Sequence, residues 1–164
     1  GNMSYPPNVN AVVFIVKKIL PLVWEKRPNC NLLIAGAEPN AVVKSLATDK
    51  VIVSGWMDDI RDAYNSGKIC VTPLNIGTGL QNKLLEAMSM ELPCITSSLA
   101  NNALQATDGK EILIANSEQE FANKILVLLD SELDRKSLGL NGKKFIVENY
   151  HWSNIIKKME KIMF

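Results

Sequence analysis

Pro73-Leu74-Asn75-Ile76-Gly77-Thr78-Gly79-Leu80-Gln81-Asn82-Lys83-Leu84-Leu85-Glu86-Ala87-Met88 is the stretch from which the rest of the chain can be read. Its leading proline breaks the apolar run Ile69-Cys70-Val71-Thr72, and it continues as a helix from about Gln81 to Met90. Strand, glycine-rich loop and helix in that order make one βα unit. Gly77 and Gly79 lack a Cβ, so the backbone there can come close to a ligand. The helix behind them presents unpaired N–H groups and the positive end of its dipole. Together these form an anion site, suited to a diphosphate. Lys83 adds a full charge in the first turn, and Glu86 follows on the same face. A carboxylate there can accept hydrogen bonds from two vicinal hydroxyls, as on a ribose. Alone the pair decides nothing, because exposed Lys–Glu pairs at this spacing are common. Gly-x-Gly is equally weak alone: Asn82 stands where a dinucleotide fingerprint has its third glycine, and the Gly-Lys-Ser/Thr ending of a P-loop is missing.

The flanking sequence repeats the same alternation. Upstream, Asn8 reads as the cap of an amphipathic helix carrying Val9, Val12, Val13, Val16, Ile19, Leu20 and Val23. Leu32 to Gly36 and Val51 to Val53 read as strands, with a short helix near 39–47 between them. Asp58 and Asp59 open a helix that Gly67 closes. Downstream come strands at Pro93 to Ser97 and Ile112 to Ile114. Ser117-Glu118-Gln119-Glu120 matches a capping box for a helix to about Asp130. Ser131 caps a further helix ending near Asn149, and Ser153 caps the last. This is an α/β chain: a Rossmann-like parallel sheet with helices on both faces, in one domain. Such sheets bind ligands outside the carboxyl ends of their strands. The loops 1–8, 54–59 and 73–82 therefore line the expected site.

Bulk properties bound the function. The chain has 164 residues, 47% of them hydrophobic and 21% charged, enough for one sizeable core. The net charge of +1 makes no electrostatic case for nucleic acid. The lysines at 143, 144, 157, 158 and 161 read as solvated helix faces. Cys30, Cys70 and Cys94 are too scattered for a disulfide framework or zinc site and read as small buried thiols in a reducing cytoplasm. No apolar run reads as membrane-spanning and no signal peptide opens the chain. The opening Gly1-Asn2-Met3-Ser4-Tyr5-Pro6-Pro7 reads as a loop with no strand before it. The expectation is a chain cut from a longer protein, without its first strand.

The quoted stretch resembles the signature of family-four retaining glycosyltransferases of the GT-B fold, especially the subgroup written Pro-Leu-x-x-Gly-x-Gly-x-x-x-Lys-x-x-Glu-Ala-Met. The likeness continues through Leu92-Pro93-Cys94-Ile95-Thr96, Asp108-Gly109-Lys110-Glu111-Ile112-Leu113-Ile114 and Tyr150-His151-Trp152-Ser153. Asn31 to Gly36, Val51 to Gly55 and the opening Gly1-Asn2-Met3 extend it over nearly the whole chain. The resemblance implies the C-terminal, donor-binding half of such an enzyme, separated from the N-terminal acceptor-binding domain of the same protein. It makes Glu86 the ribose ligand. It has Lys83 and the backbone of Gly77, Thr78, Gly79, Leu80 and Gln81 hold the diphosphate and donor sugar, and Gly1-Asn2 approach the phosphates from the other side. Ser54, Gly55, Trp56 and Met57 would meet the nucleobase. Trp56 can stack on it, although a tryptophan after a strand is more often a partly buried packing residue. Two departures stand out. Many members carry a second glutamate where this chain has Thr78, which puts the choice of donor in question. Glu91 stands at a usual glycine, which implies a different helix ending.

Lys83, the helix entrance and backbone amides would stabilise the departing diphosphate electrostatically. Such a site needs no metal and no cofactor beyond the nucleotide-sugar substrate; His151 reads as a surface or packing residue. The resemblance further implies retention of configuration, a cytoplasmic enzyme at the inner face of the membrane in peripheral association, and an isolated domain that binds donor weakly and transfers nothing. The alternatives are a noncatalytic nucleotide-binding or interaction module of the same fold, a hydrolysing epimerase, and a flavodoxin-like receiver domain. The epimerase needs acidic and histidine residues around its site, and the receiver needs acidic strand ends. The strand ends here are Gly36, Ser54-Gly55 and Thr72-Pro73.

Overall fold

The structure, a computed structural model, describes residues 1–77, 79–150 and 156. The readings of Thr78, His151, Trp152 and Ser153 fall outside these residues.

The chain opens with a helical rod in three parts: α1 (Pro6–Phe14), a π-helical turn (Ile15–Ile19) and α2 (Leu20–Trp24). Pro21 accounts for the wide turn. It has no N–H to give, and its ring crowds the carbonyl one turn back, so the backbone before it widens. Asn8 does not cap this rod. Tyr5 holds the cap position and Pro6 the first turn, where a missing N–H costs nothing. By length and mean hydropathy the rod could cross a membrane, contrary to the sequence reading, although 39% of that window is buried. Ile19, Leu20 and Val23 are instead core residues of this fold.

Then follow β1 (Leu32–Ala35), α3 (Ala41–Lys44), β2 (Val51–Gly55), α4 (Ile60–Ser66), β3 (Cys70–Thr72), α5 (Asn82–Ser89), β4 (Cys94–Thr96), α6 (Ser98–Asn101), β5 (Leu113–Ile114), α7 (Glu118–Asp130) and α8 (Glu132–Tyr150). All strand pairs are parallel, as expected of βαβ units. The ladder comes in two pieces, β1-β2 and β3-β4-β5, rather than one sheet. Among the described residues no strand pairs the second edge of β1 or of β3.

Helices cover both faces. Within β3 and β4, neighbouring residues feed opposite cores. Val71 and Ile95 join the cluster built with Ile19, Val23 and Phe121. Cys70 and Cys94 join the one built with Leu84, Met88 and Ile146. This is the alternation of a strand buried on both sides. The thiols are free, as read from their spacing, but only Cys94 is buried, Cys30 and Cys70 being half-buried; Cys70 and Cys94 are partners in register.

Asp59, Ser117 and Ser131 each accept a backbone N–H at a helix start, as read from sequence. The capping box at Ser117 is displaced: the Glu120 carboxylate reaches the N–H of Asn116 rather than of Ser117. The short α6, capped by Ser97, was not anticipated. The expected change of helix ending at Glu91 is absent. Glu91 takes φ +60°, the left-handed conformation a glycine would supply. Glu91 N–H donates to Met88 O at 3.0 Å and Leu92 N–H to Ala87 O at 3.0 Å, the pair of bonds that closes a Schellman motif.

Candidate donor-nucleotide site

The glycine-rich loop is pinned where it leaves β3. Thr96 Oγ1 donates to Thr72 O at 2.9 Å and Ser97 Oγ to Leu74 O at 2.5 Å. Beyond this anchor Gly77 and Gly79 have φ of +114° and +85°. A side chain is strained in that region, which explains both glycines. Gln81 takes the cap position of α5 in an extended conformation, yet its side chain folds back to Gly79 O at 3.1 Å and caps nothing. Leu80 is exposed. Among the described residues no side chain therefore caps the entrance to α5, whose first N–H groups are the ones a helix leaves for an outside partner.

Leu84, Ala87 and Met88 bury the inner face of α5 completely or nearly so. That fixes the helix rotation and leaves Lys83 and Glu86 on the open side. Lys83 is half-buried, and burial pulls its pKa below the usual lysine range; Cys70 and Glu86 oppose this. Its Nζ donates to Asn8 Oδ1 at 2.6 Å. Glu86 is exposed, and its Oε2 accepts from the Tyr64 hydroxyl at 2.8 Å.

The opening loop lies against the same place. The Gly1 ammonium donates to Ala35 O at 3.1 Å. Burial first, then Lys83, lower its pKa, while Glu86 and Cys70 raise it, so all four groups share one electrostatic neighbourhood. A Cβ on Gly36 would sit 1.8 Å from Gly1 O, so only glycine fits at the end of β1. Asn2 contributes its backbone: its carbonyl accepts from Asn8 Nδ2 at 2.7 Å. Its side chain is committed to Ser4 and Glu38.

Gly36 N–H also donates to Gly55 O at 3.3 Å, which joins the loop after β2 to this edge. Gly55 has φ +71°, and Ser54 Oγ donates to Gly55 O at 3.0 Å. Met57 is half-buried. Trp56 is 74% exposed, which overturns its reading as a packing residue; its Nε1 donates to Asp58 Oδ1 at 3.3 Å.

The strand ends thus gather Gly1, Gly36, Gly55, Gly77, Gly79, Lys83 and Glu86 at one rim. Sequence reasoning missed Asn8 and Tyr64. Asn8 carried a signal, since an amide one turn before Val12 falls on the apolar stripe. Tyr64 carried none, because its partner lies on another helix. Among the described residues, no group of three or more His, Cys, Asp or Glu side chains could hold a metal ion.

The sequence profile of the family described as glycosyl transferases group 1 matches residues 1–131. The chain belongs to that family. Among curated relatives of this group 1 chain, an uncharacterized 44.6 kDa protein in the cps region of Klebsiella pneumoniae is 25% identical over 98% of the chain and 44% of its own length. The UDP-Gal:alpha-D-GlcNAc-diphosphoundecaprenol alpha-1,3-galactosyltransferase of Escherichia coli is 29% identical over 69% of the chain and 28% of its own. The chain therefore spans less than half the length of either relative. Among solved structures, TarM of S. aureus, in a complex that includes UDP, superposes with a TM-score of 0.82 at 17% identity, covering 98% of this chain and 34% of that one. The C-terminal domain of the group 1 protein LpcC of Francisella tularensis gives 0.69 at 22%, covering 85% and 78%. These likenesses place the group 1 chain in the GT-B fold.

Proposed function

We propose that this chain is the donor-binding domain of a retaining, family-four glycosyltransferase that moves a sugar from a nucleotide-sugar to a glycan, lipid or protein acceptor. The observation that carries the reading is the start of α5, behind Gly77 and Gly79 and without a side-chain cap among the described residues, with Lys83 and Glu86 on the helix face away from the core. Phosphate oxygens meet the first N–H groups of α5, the Gly77–Gly79 backbone and Lys83. The ribose hydroxyls meet Glu86. The base lies toward Ser54, Gly55, Trp56 and Met57, with Trp56 free to stack. As the sugar–phosphate bond breaks, charge grows on the departing diphosphate, and these fixed dipoles and Lys83 stabilise it without a metal.

UDP is the nucleotide we assign, because the galactosyltransferase relative is described with UDP-Gal and TarM in a complex that includes UDP. The acceptor-binding domain would occupy the remainder of a longer protein, cytoplasmic and peripheral to the membrane. Gly1 sits at the end of β1 and in the field of Cys70 on β3. A strand leading into it would fit between these two edges.

Calorimetric titration of the chain with UDP, GDP and ADP tests the reading. Heat with UDP, weaker heat with the others and no sugar transfer by this chain alone are expected. Silence with all three favours a noncatalytic module, and turnover by this chain alone refutes the division of labour between two domains.

A further inference from the structure

Two side chains at the rim have defined partners, and the partner of Glu86 comes from elsewhere in the fold. Tyr64 stands in α4, whose start is set by the Asp59 cap. Its ring packs against the core cluster of Leu84, Met88 and Cys94. Its hydroxyl emerges over α5, 2.8 Å from Glu86 Oε2 and 3.5 Å from Lys83 O. An exposed glutamate on a helix ordinarily samples several rotamers, and fixing it costs entropy when a ligand arrives. Here the ring is immobilised by packing, so the hydrogen bond that it gives holds the carboxylate in advance.

We propose that Tyr64 is a positioning residue for ribose recognition: it holds Glu86 Oε2 so that Oε1 and the remaining lone pairs face the two vicinal hydroxyls of the nucleotide. The inference rests on the reading of Glu86 as the ribose ligand. A phenol suits the task for two reasons. It donates to the carboxylate and cannot compete with the sugar as a second charge. Burial and the neighbouring Glu86 also push its pKa far above the ordinary phenol value, so it stays a donor at any working pH. A carboxylate has room for about four hydrogen bonds, so one donor from Tyr64 leaves enough for a diol.

The contact can also be read as a mere staple between α4 and α5, and Tyr64→Phe separates the two because it keeps the ring and removes only the hydroxyl. The affinities of UDP, its 2′,3′-dideoxy counterpart and pyrophosphate are measured for the unmodified chain, Tyr64→Phe, Glu86→Gln and the double variant. UDP affinity is expected to fall about three- to tenfold in Tyr64→Phe, the worth of one hydrogen bond. Dideoxy-UDP and pyrophosphate should be unaffected, and the loss should vanish on the Glu86→Gln background. An equal loss with all three ligands marks a staple and overturns the proposal, as does an unchanged UDP affinity. If Glu86→Gln abolishes the preference for UDP over dideoxy-UDP while Tyr64→Phe leaves it intact, the ribose reading stands and the positioning role falls. If Glu86→Gln leaves that preference intact, or if UDP does not bind, the ribose reading falls and takes this inference with it.

Discussion

Lys83 Nζ donates to Asn8 Oδ1 at 2.6 Å, across 75 positions of sequence. The other end of the same amide, Nδ2, donates to Asn2 O at 2.7 Å. Asn8 is 8% exposed. One buried side chain therefore ties the charge at the α5 entrance to the loop that faces it. Asn8→Ala removes both bonds and leaves a carbonyl short of a donor. A loss of about 1–3 kcal/mol in stability is expected from urea midpoints. UDP affinity should drop less than in Lys83→Ala, where about 1.5–3 kcal/mol is lost with a charge-assisted bond. An Asn8→Ala protein with unchanged stability and affinity would show the bridge to be idle.

Nucleotide affinity should decline on the alkaline side. Burial disfavours the Lys83 ammonium, so in the free protein it gives up its proton below the usual lysine range. A bound diphosphate favours the charged form and raises that pKa. Affinity is therefore fully present below the free-state pKa and is lost as pH rises from there through the raised bound-state pKa. Calorimetry between about pH 7 and 10 reads the decline. Lys83→Arg stays charged throughout and should abolish it. A profile unaltered by that change removes Lys83 from the anion site.

Much of this rim was legible because local rules wrote it. The proline after β3, the two glycines and the amphipathic helix behind them needed no tertiary information, and Gly77, Gly79, Lys83 and Glu86 stand where they put them. What failed was context. Asn8 looked like a cap because caps favour amides, yet Pro6 had already fixed the helix start. Glu91 looked like a changed ending, but the Schellman bonds of Met88 and Ala87 carry the turn through without glycine. The two-piece ladder follows from pairing between distant strands, which periodicity within a strand cannot report. Tyr64 and Glu86 meet only because two helices pack side by side.

Trp56 offers a way to weigh the base contact alone. At 74% exposure it contributes little to the core, so Trp56→Ala should change thermal stability by no more than about 0.5 kcal/mol. If its ring stacks on the base, UDP affinity falls by about 1–3 kcal/mol while pyrophosphate affinity holds. Equal losses for both ligands would point to a collapsed loop, and no loss for either would place the base elsewhere.

Glu91 and Gly139 meet where α5 ends against α8, and their substitutions should have opposite signs. Glu91 holds a left-handed backbone, with φ +60°, and gains an exposed ion pair to Lys143 at 2.8 Å. Such a pair is worth about 0–1 kcal/mol, against about 1–2 kcal/mol for a side chain in this conformation. Glu91→Gly is therefore expected to stabilise the chain by about 0.5–1 kcal/mol, after the entropy glycine adds to the unfolded state. Gly139 lies inside α8, where glycine-to-alanine ordinarily stabilises a helix by about 1 kcal/mol. Here a Cβ would stand 2.0 Å from Glu91 O, against backbone that cannot swing aside. Gly139→Ala should instead cost about 1–3 kcal/mol, as overpacking does. Urea unfolding of the two variants decides it: a stabilised Gly139→Ala protein would mean that α5 and α8 do not cross this closely.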